Sequence, residues 1–278
     1  MKTWLLITSA LLFTACSADD LPKYSDLGGL RILALESDNG GFAEYSPGDS
    51  VQITPWISDF KGGTRTIEFS WQACIDPGLA VGADPSCAGV PGATSVTTGA
   101  LTVPATERTG AGGTFSVTIP SNILNGRSAV DTFNGVHYLV TYKLTASDGA
   151  KVESFKRLVV SESTKSGKNR NPTLSDILAG GSSLSTFPSG ETELRAVNAG
   201  GSAETYSRRK NDGGTETLTE SLFTTWFITT GELSLFRTIA DGPTKWTPGA
   251  RPTDHTPLVV GVTRDARGGI SVLLKNGL

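Results

Sequence analysis

Histidine, charge and long apolar runs are all scarce in this chain, and each scarcity closes off a class of function. The two histidines, His137 and His255, lie far apart, with neither a second histidine nor a cysteine at ligand spacing. A metal centre built from such residues has too few donors. His137 opens a predicted strand and His255 sits in the loop Pro252-Thr253-Asp254-His255-Thr256-Pro257, so both read as structural or incidental. No His-Glu-x-x-His, no Gly-x-Ser-x-Gly and no phosphate-cradling glycine loop occurs. The expectation is a protein with no catalytic residues, no metal and no cofactor, and so not an enzyme. Charged residues make up 18% of the chain, with 24 Lys and Arg against 27 Asp and Glu, and no basic block stands out. That balance argues against nucleic acid as a partner. After residue 20 no stretch is long and apolar enough to cross a bilayer as a helix.

What the chain has in quantity is glycine, at 33 residues, together with much threonine and serine. This composition suits many short strands joined by tight turns. Ile67, Phe69, Trp71 and Ala73 alternate with Thr66, Glu68, Ser70 and Gln72, which predicts a strand buried on one face. Phe115-Val117-Ile119 and Tyr138-Val140-Tyr142-Leu144-Ala146 continue the same period. Ser147-Asp148-Gly149 marks a hairpin that returns the chain along Lys151 to Val160.

The first residues carry the clearest address. Met1-Lys2-Thr3 is a short basic start, Trp4 to Phe13 is apolar apart from Thr8 and Ser9, and Phe13-Thr14-Ala15-Cys16 precedes polar Ser17-Ala18-Asp19-Asp20. That order is an export signal. The last four residues resemble a bacterial lipobox, with Phe13 where leucine is usual. The resemblance implies cleavage before Cys16 and palmitate-type acylation of that cysteine. The membrane is then a partner through lipid, and the place is the cell envelope, with Ser17 favouring the outer membrane. The alternative is an ordinary cleaved signal beside an incidental cysteine. Acyl chains contribute about 0.8 kcal/mol per buried methylene, so two or three anchor stably. Cys74 and Cys87 then remain, and in an oxidising compartment a disulfide between them is the default reading.

The chain also repeats itself in outline. Ile32-Leu33-Ala34 is echoed by Ile177-Leu178-Ala179, and the turn Ser46-Pro47-Gly48-Asp49 by Pro188-Ser189-Gly190-Glu191. Each repeat has one tryptophan in an alternating strand, Trp71 or Trp226, and ends in a hairpin at 147–149 or 264–269. The reading is all-β, with two tandem antiparallel β-sandwiches after the signal, each centred on its tryptophan. Residues 1–15 are the signal, 16–28 a tether, 29–161 the first sandwich, 162–172 a polar linker and 173–278 the second sandwich. The Pro47-Gly48-Asp49 turn, the Trp71 strand, the Asn171-Pro172 entry and the Arg264-Asp265 hairpin resemble tandem immunoglobulin-like or PKD-like domains of bacterial surface lipoproteins. That resemblance implies architecture and carries over no active site.

Binding residues are fewer. Trp246, in the loop Lys245-Trp246-Thr247-Pro248, is a possible contact for a glycan or protein, unless it tucks under its own sandwich. Phe223, Thr225 and Phe227, opposite the Trp226 face, would begin an aromatic row on a sheet surface. Asp265 orders its own turn or forms a ligand-binding tip. Arg208-Arg209-Lys210 reads as a solvated loop. Calcium at the junction would use Asp148, Asn169, Asn171 and Asp265, against the opposition of Lys165, Lys168 and Arg170. The functional expectation is a non-enzymatic, lipid-anchored spacer, adhesion or assembly module. Its partners would be envelope proteins or glycans. A carbohydrate- or peptidoglycan-binding module is the alternative.

Overall fold

The computed structural model describes residues 23–60, 65–78, 84–102, 109–111, 113–253 and 255–276. Cys16 and the segment before it lie outside the described residues. The first half contains β1 (Arg31–Asp38), β2 (Glu44–Tyr45), β3 (Ser50–Ser58), β4 (Thr66–Ile75), β5 (Thr97–Thr102), β6 (Thr109–Ala111), β7 (Phe115–Thr118), α1 (Ala129–Asn134), β8 (Val136–Ala146) and β9 (Lys151–Val160). The second contains β10 (Leu174–Ala179), β11 (Ser182–Ser183), β12 (Thr192–Asn198), β13 (Thr205–Arg209), β14 (Thr215–Thr219), β15 (Phe223–Ile228), β16 (Glu232–Leu233), β17 (Arg237–Ile239), β18 (Thr244–Thr247), β19 (Val259–Arg264) and β20 (Ile270–Lys275). The fold is nearly all β, as the alternating rows require.

In the first half, sheet β1-β3-β6, with β7 also on β3, faces sheet β2-β9-β8-β4-β5. Leu35, Val51, Ile53 and Val117 from one sheet meet Ile67, Tyr138, Val140 and Tyr142 from the other. The pairs are antiparallel except β2 on β9, which is parallel. In the second half, sheet β11-β10-β12-β18-β16 faces β17-β15-β19-β20, with Ile177, Leu194 and Trp246 packed against Trp226 and Val259. The hairpin β13–β14 stands apart from both sheets.

The two tryptophans expected at the sandwich centres differ. Trp226 is fully buried, with Nε1 donating to Thr238 Oγ1 at 3.1 Å. Trp71 is only partly buried, stacked on Phe115 with ring centroids 4.6 Å apart. Tyr45, Tyr138 and Tyr142 fill the first core instead.

The halves also share a third apolar cluster. Leu27, Leu33 and Ala34 pack with Phe227, Leu258, Val260, Val262 and Ile270. A register shift in β1 between Ile32 and Ala34 makes this possible. The bulge sends Leu33 and Ala34 outward, while Ile32 and Leu35 still face the first core. The expected aromatic row opposite Trp226 is therefore not a surface. Phe227 and Thr225 are buried.

The expected tether and linker are also corrected in part. From Lys23 onward the chain is bound: Leu27 N donates to Ile228 O at 3.1 Å, and Ile228 N to Ser25 O at 2.9 Å. Between the sandwiches, Ser161 and Asn169 are buried. Elsewhere in 162–172 the polar stretch meets water as expected, at Ser163, Thr164, Ser166 and Arg170.

Candidate ligand site at the junction of the two halves

Glu44 organises this region. On β2, Tyr45 points into the first core, and Glu44 faces the junction with its carboxylate 1% exposed. A buried carboxylate needs charged or hydrogen-bonding partners. Lys165 Nζ lies 2.5 Å from Oε1, while Arg267 Nη2 at 2.7 Å and the Asn169 amide at 3.0 Å donate to Oε2. Burial alone would push this carboxyl up, but Lys165, Ser161 and the Asn169 backbone amide together hold it below the usual glutamate range. The Arg267 guanidinium also lies 4.2 Å over the Tyr206 ring and donates to Glu220 at 3.1 Å. Burial raises the Glu220 carboxyl despite that contact.

The 264–269 turn positions Arg267. Asp265 Oδ1 accepts from Arg267 N at 2.8 Å and Gly269 N at 2.7 Å, so the residue orders its own turn. Gly268 takes φ +104°, and a Cβ on Gly269 would come within 2.1 Å of Asp265 Oδ2 and 3.0 Å of Arg170 O. Glycine is required at both positions. Asn169 Nδ2 donates to Asp265 Oδ2 at 3.1 Å. Asn171 bridges the halves, donating to Ser37 O at 2.7 Å and accepting from Ile270 N at 3.0 Å. Three of the four residues considered for calcium thus meet at the junction, but Asp148 does not. It pairs with Arg65 at the far hairpin. Among the described residues no group of three or more His, Cys, Asp or Glu could hold a metal. Lys156, also at the junction, donates from Nζ to Gly268 O. Arg264 Nη2 donates to Leu33 O at 2.9 Å.

Over this base lies a cavity of about 350 Å³ whose wall comes from both halves. His137 and Arg157 enter from β8 and β9, and Arg157 Nε pairs with Asp76. The His137 imidazole is held below its ordinary value, first by desolvation and further by Arg157, with Asp76 opposing. The β13–β14 hairpin closes the other side with Tyr206, Ser207 and Arg208. It is held there by α1. Asn134 Nδ2 donates to Arg209 O and Arg209 N donates to Asn134 Oδ1, both at 2.9 Å. The Arg209 guanidinium lies 4.3 Å over Phe133. Ser128 caps α1, its Oγ accepting from Asp131 N at 3.1 Å. Within the 208–210 basic run, Arg209 is thus docked on the first half, while Arg208 and Lys210 on either side stay exposed as expected.

Sequence reasoning named Asp265 and the 208–210 run but did not join them to Glu44, Arg157 or His137. One signal was legible: Lys156 shares its strand face with the core residues Leu158 and Val160, and a charge in that row needs partners.

No protein-family model matches the chain, and no curated protein sequence does. Among solved structures, the chain aligns with the crystal structure of red sea bream transglutaminase at 9% identity and a TM-score of 0.29. The alignment covers 88% of this chain and 31% of the enzyme, so the chain spans about a third of that protein's length. So slight a likeness carries no argument about activity.

Trp246 is not a surface contact. It is 1% exposed in the second core, its Nε1 donates to Thr230 O at 3.0 Å, and Phe187 meets it edge-on. Cys74 and Cys87 do form a disulfide, with Cα atoms 5.6 Å apart. It packs with Leu139 on the outer face of β4 and β8.

Proposed function

We propose that this protein is a non-enzymatic, lipid-anchored module of the cell envelope, held to the outer membrane by acylated Cys16. Its two sandwiches work as one stiff body for spacing, adhesion or assembly. The observation that carries the reading is the shared cluster of Leu33 and Ala34 with Phe227, Val260 and Val262. A spacer transmits position only if its parts do not swing, and an apolar interface with few exposed side chains resists hinge motion. The N-terminal segment strengthens this reading, because the chain that would leave the membrane is bound to the second half at Ile228.

A carbohydrate-binding reading has one observation in its favour. A second groove beside the disulfide loop is bordered by Phe155, 41% exposed, with Gln72, Thr141 and Lys143 nearby. An exposed ring among hydrogen-bonding groups suits a sugar face.

The test is metabolic labelling of cells with an alkyne-bearing fatty acid, followed by fractionation. Label on the mature chain in the outer-membrane fraction, lost in Cys16→Ala with release of soluble protein, is the expected result. An unlabelled chain, or a labelled one unaffected by Cys16→Ala, would overturn the anchor.

A further inference from the structure

We propose that the junction cavity is a binding site for a small anionic ligand, bearing a carboxylate or phosphate group. The chemistry of the wall carries this. Among the described residues, Arg157, Lys165, Arg208 and Arg267 line the cavity, against the single lining carboxylate Glu44. Glu44 is committed inward to Lys165 and Arg267 and has 1% of its side chain exposed. Arg267 is paired with Glu220 and Glu204 as well, Arg157 with Asp76 and Arg208 with Glu216, and none of these four carboxylates is on the wall. The wall thus presents guanidinium donors to the cavity, while the carboxylates that neutralise them lie behind it or are turned inward.

Arg208 is the lining cation best placed to reach a ligand. Its side chain is 60% exposed, and its Nε stands 3.7 Å from Glu216, beyond a good hydrogen bond. Arg157 commits Nε to Asp76, leaving further donors on the same guanidinium. Paired guanidinium groups suit carboxylate and phosphate oxygens, which they engage through two parallel N–H bonds. At about 350 Å³ the space is at the lower end for small-molecule sites and fits a group of monosaccharide size. Because its walls come from both halves, an occupant would also brace the junction. This inference stands apart from the anchor and spacer reading and survives its failure.

The experiment is isothermal titration of the full-length protein, at low salt, with inorganic phosphate, with glucuronate and with glucose. Heat from one or both anions and none from glucose is expected. Phosphate alone would assign a phosphoryl ligand and glucuronate alone a carboxylated sugar. Arg208→Gln should weaken the response about tenfold, with Arg208→Lys recovering part of it, and neither should change the melting temperature. No heat from either anion up to about 20 mM would overturn the site, since weaker binding has no standing at ordinary solute levels. Equal binding of glucose, or binding unchanged in Arg208→Gln, would overturn it as well.

Discussion

Lys156 is a cation placed where water does not reach. Burial pulls its amine down to about 8 from the ordinary 10.5, with Arg264 adding to the effect and Asp265 and Glu36 opposing it. Below about pH 8 both folded and unfolded chains hold this proton, and the folded chain bears the full cost of burying the charge. Above it the unfolded chain still binds a proton that the folded chain has released, so stability rises with pH. The rise should amount to about 2 kcal/mol between about pH 7 and 9.5. The window ends there because Tyr45 and Tyr142, both buried and held above the ordinary tyrosine range, reverse the trend once unfolded tyrosines ionise. Urea unfolding of wild type and Lys156→Met across this range is the check. A rise that persists unchanged in the variant would assign it to another group.

At the scale of an element, the disulfide loop is a cover on a finished sheet. Thr94 N donates to Ala73 O at 2.8 Å, and Gln72 Nε2 to Thr94 O at 2.9 Å, which lays residues 93–94 along β4. The closed loop is short, and the entropic value of such a bridge is about 3 kcal/mol in the chain-entropy model. Its loss should therefore act locally. In Cys74→Ser/Cys87→Ser, amide exchange should quicken across 84–96, while Tyr138 and Val140, buried in the first core, stay protected. Equal loss of protection in β8 would mean that the bridge supports the sandwich itself.

For the whole molecule, the question is whether two sandwiches unfold as two bodies. The polar stretch 162–172 argued for independence, and the shared cluster argues against it. Phe227 is 3% exposed among residues of both halves. Phe227→Ala should cost about 3–5 kcal/mol and lower one cooperative transition seen by probes in either half. Calorimetry resolving two transitions, of which only one moves, would restore independent domains.

Strand periodicity made most elements legible, because an alternating row faces one core and needs no partner beyond its own sheet. The rows at 66–73, 138–146 and 151–160 all became strands close to their predicted bounds. The junction strands carry a different pattern. Leu30 to Leu35 is nearly continuous in apolar residues, as is Leu258 to Val260, and a run without alternation is buried on both faces. In each run the second face is covered by the other half of the molecule.

Local chemistry in the sequence determined the strands, the disulfide partners and the turn ordered by Asp265, since each depends on neighbours a few residues away or on a pair with no competitor. Tertiary structure alone decided which polar residues are surface and which are not. Glu44, Lys165 and Arg267 are ordinary solvated charges in a linear reading and become one buried network only when chain segments 223 residues apart meet. Trp246 reads in sequence either as a surface contact or as tucked under its own sandwich, and the fold decides for the second. Hydrophobic pattern reports that a face must be covered, but what covers it is settled by the distant segments the fold brings against it.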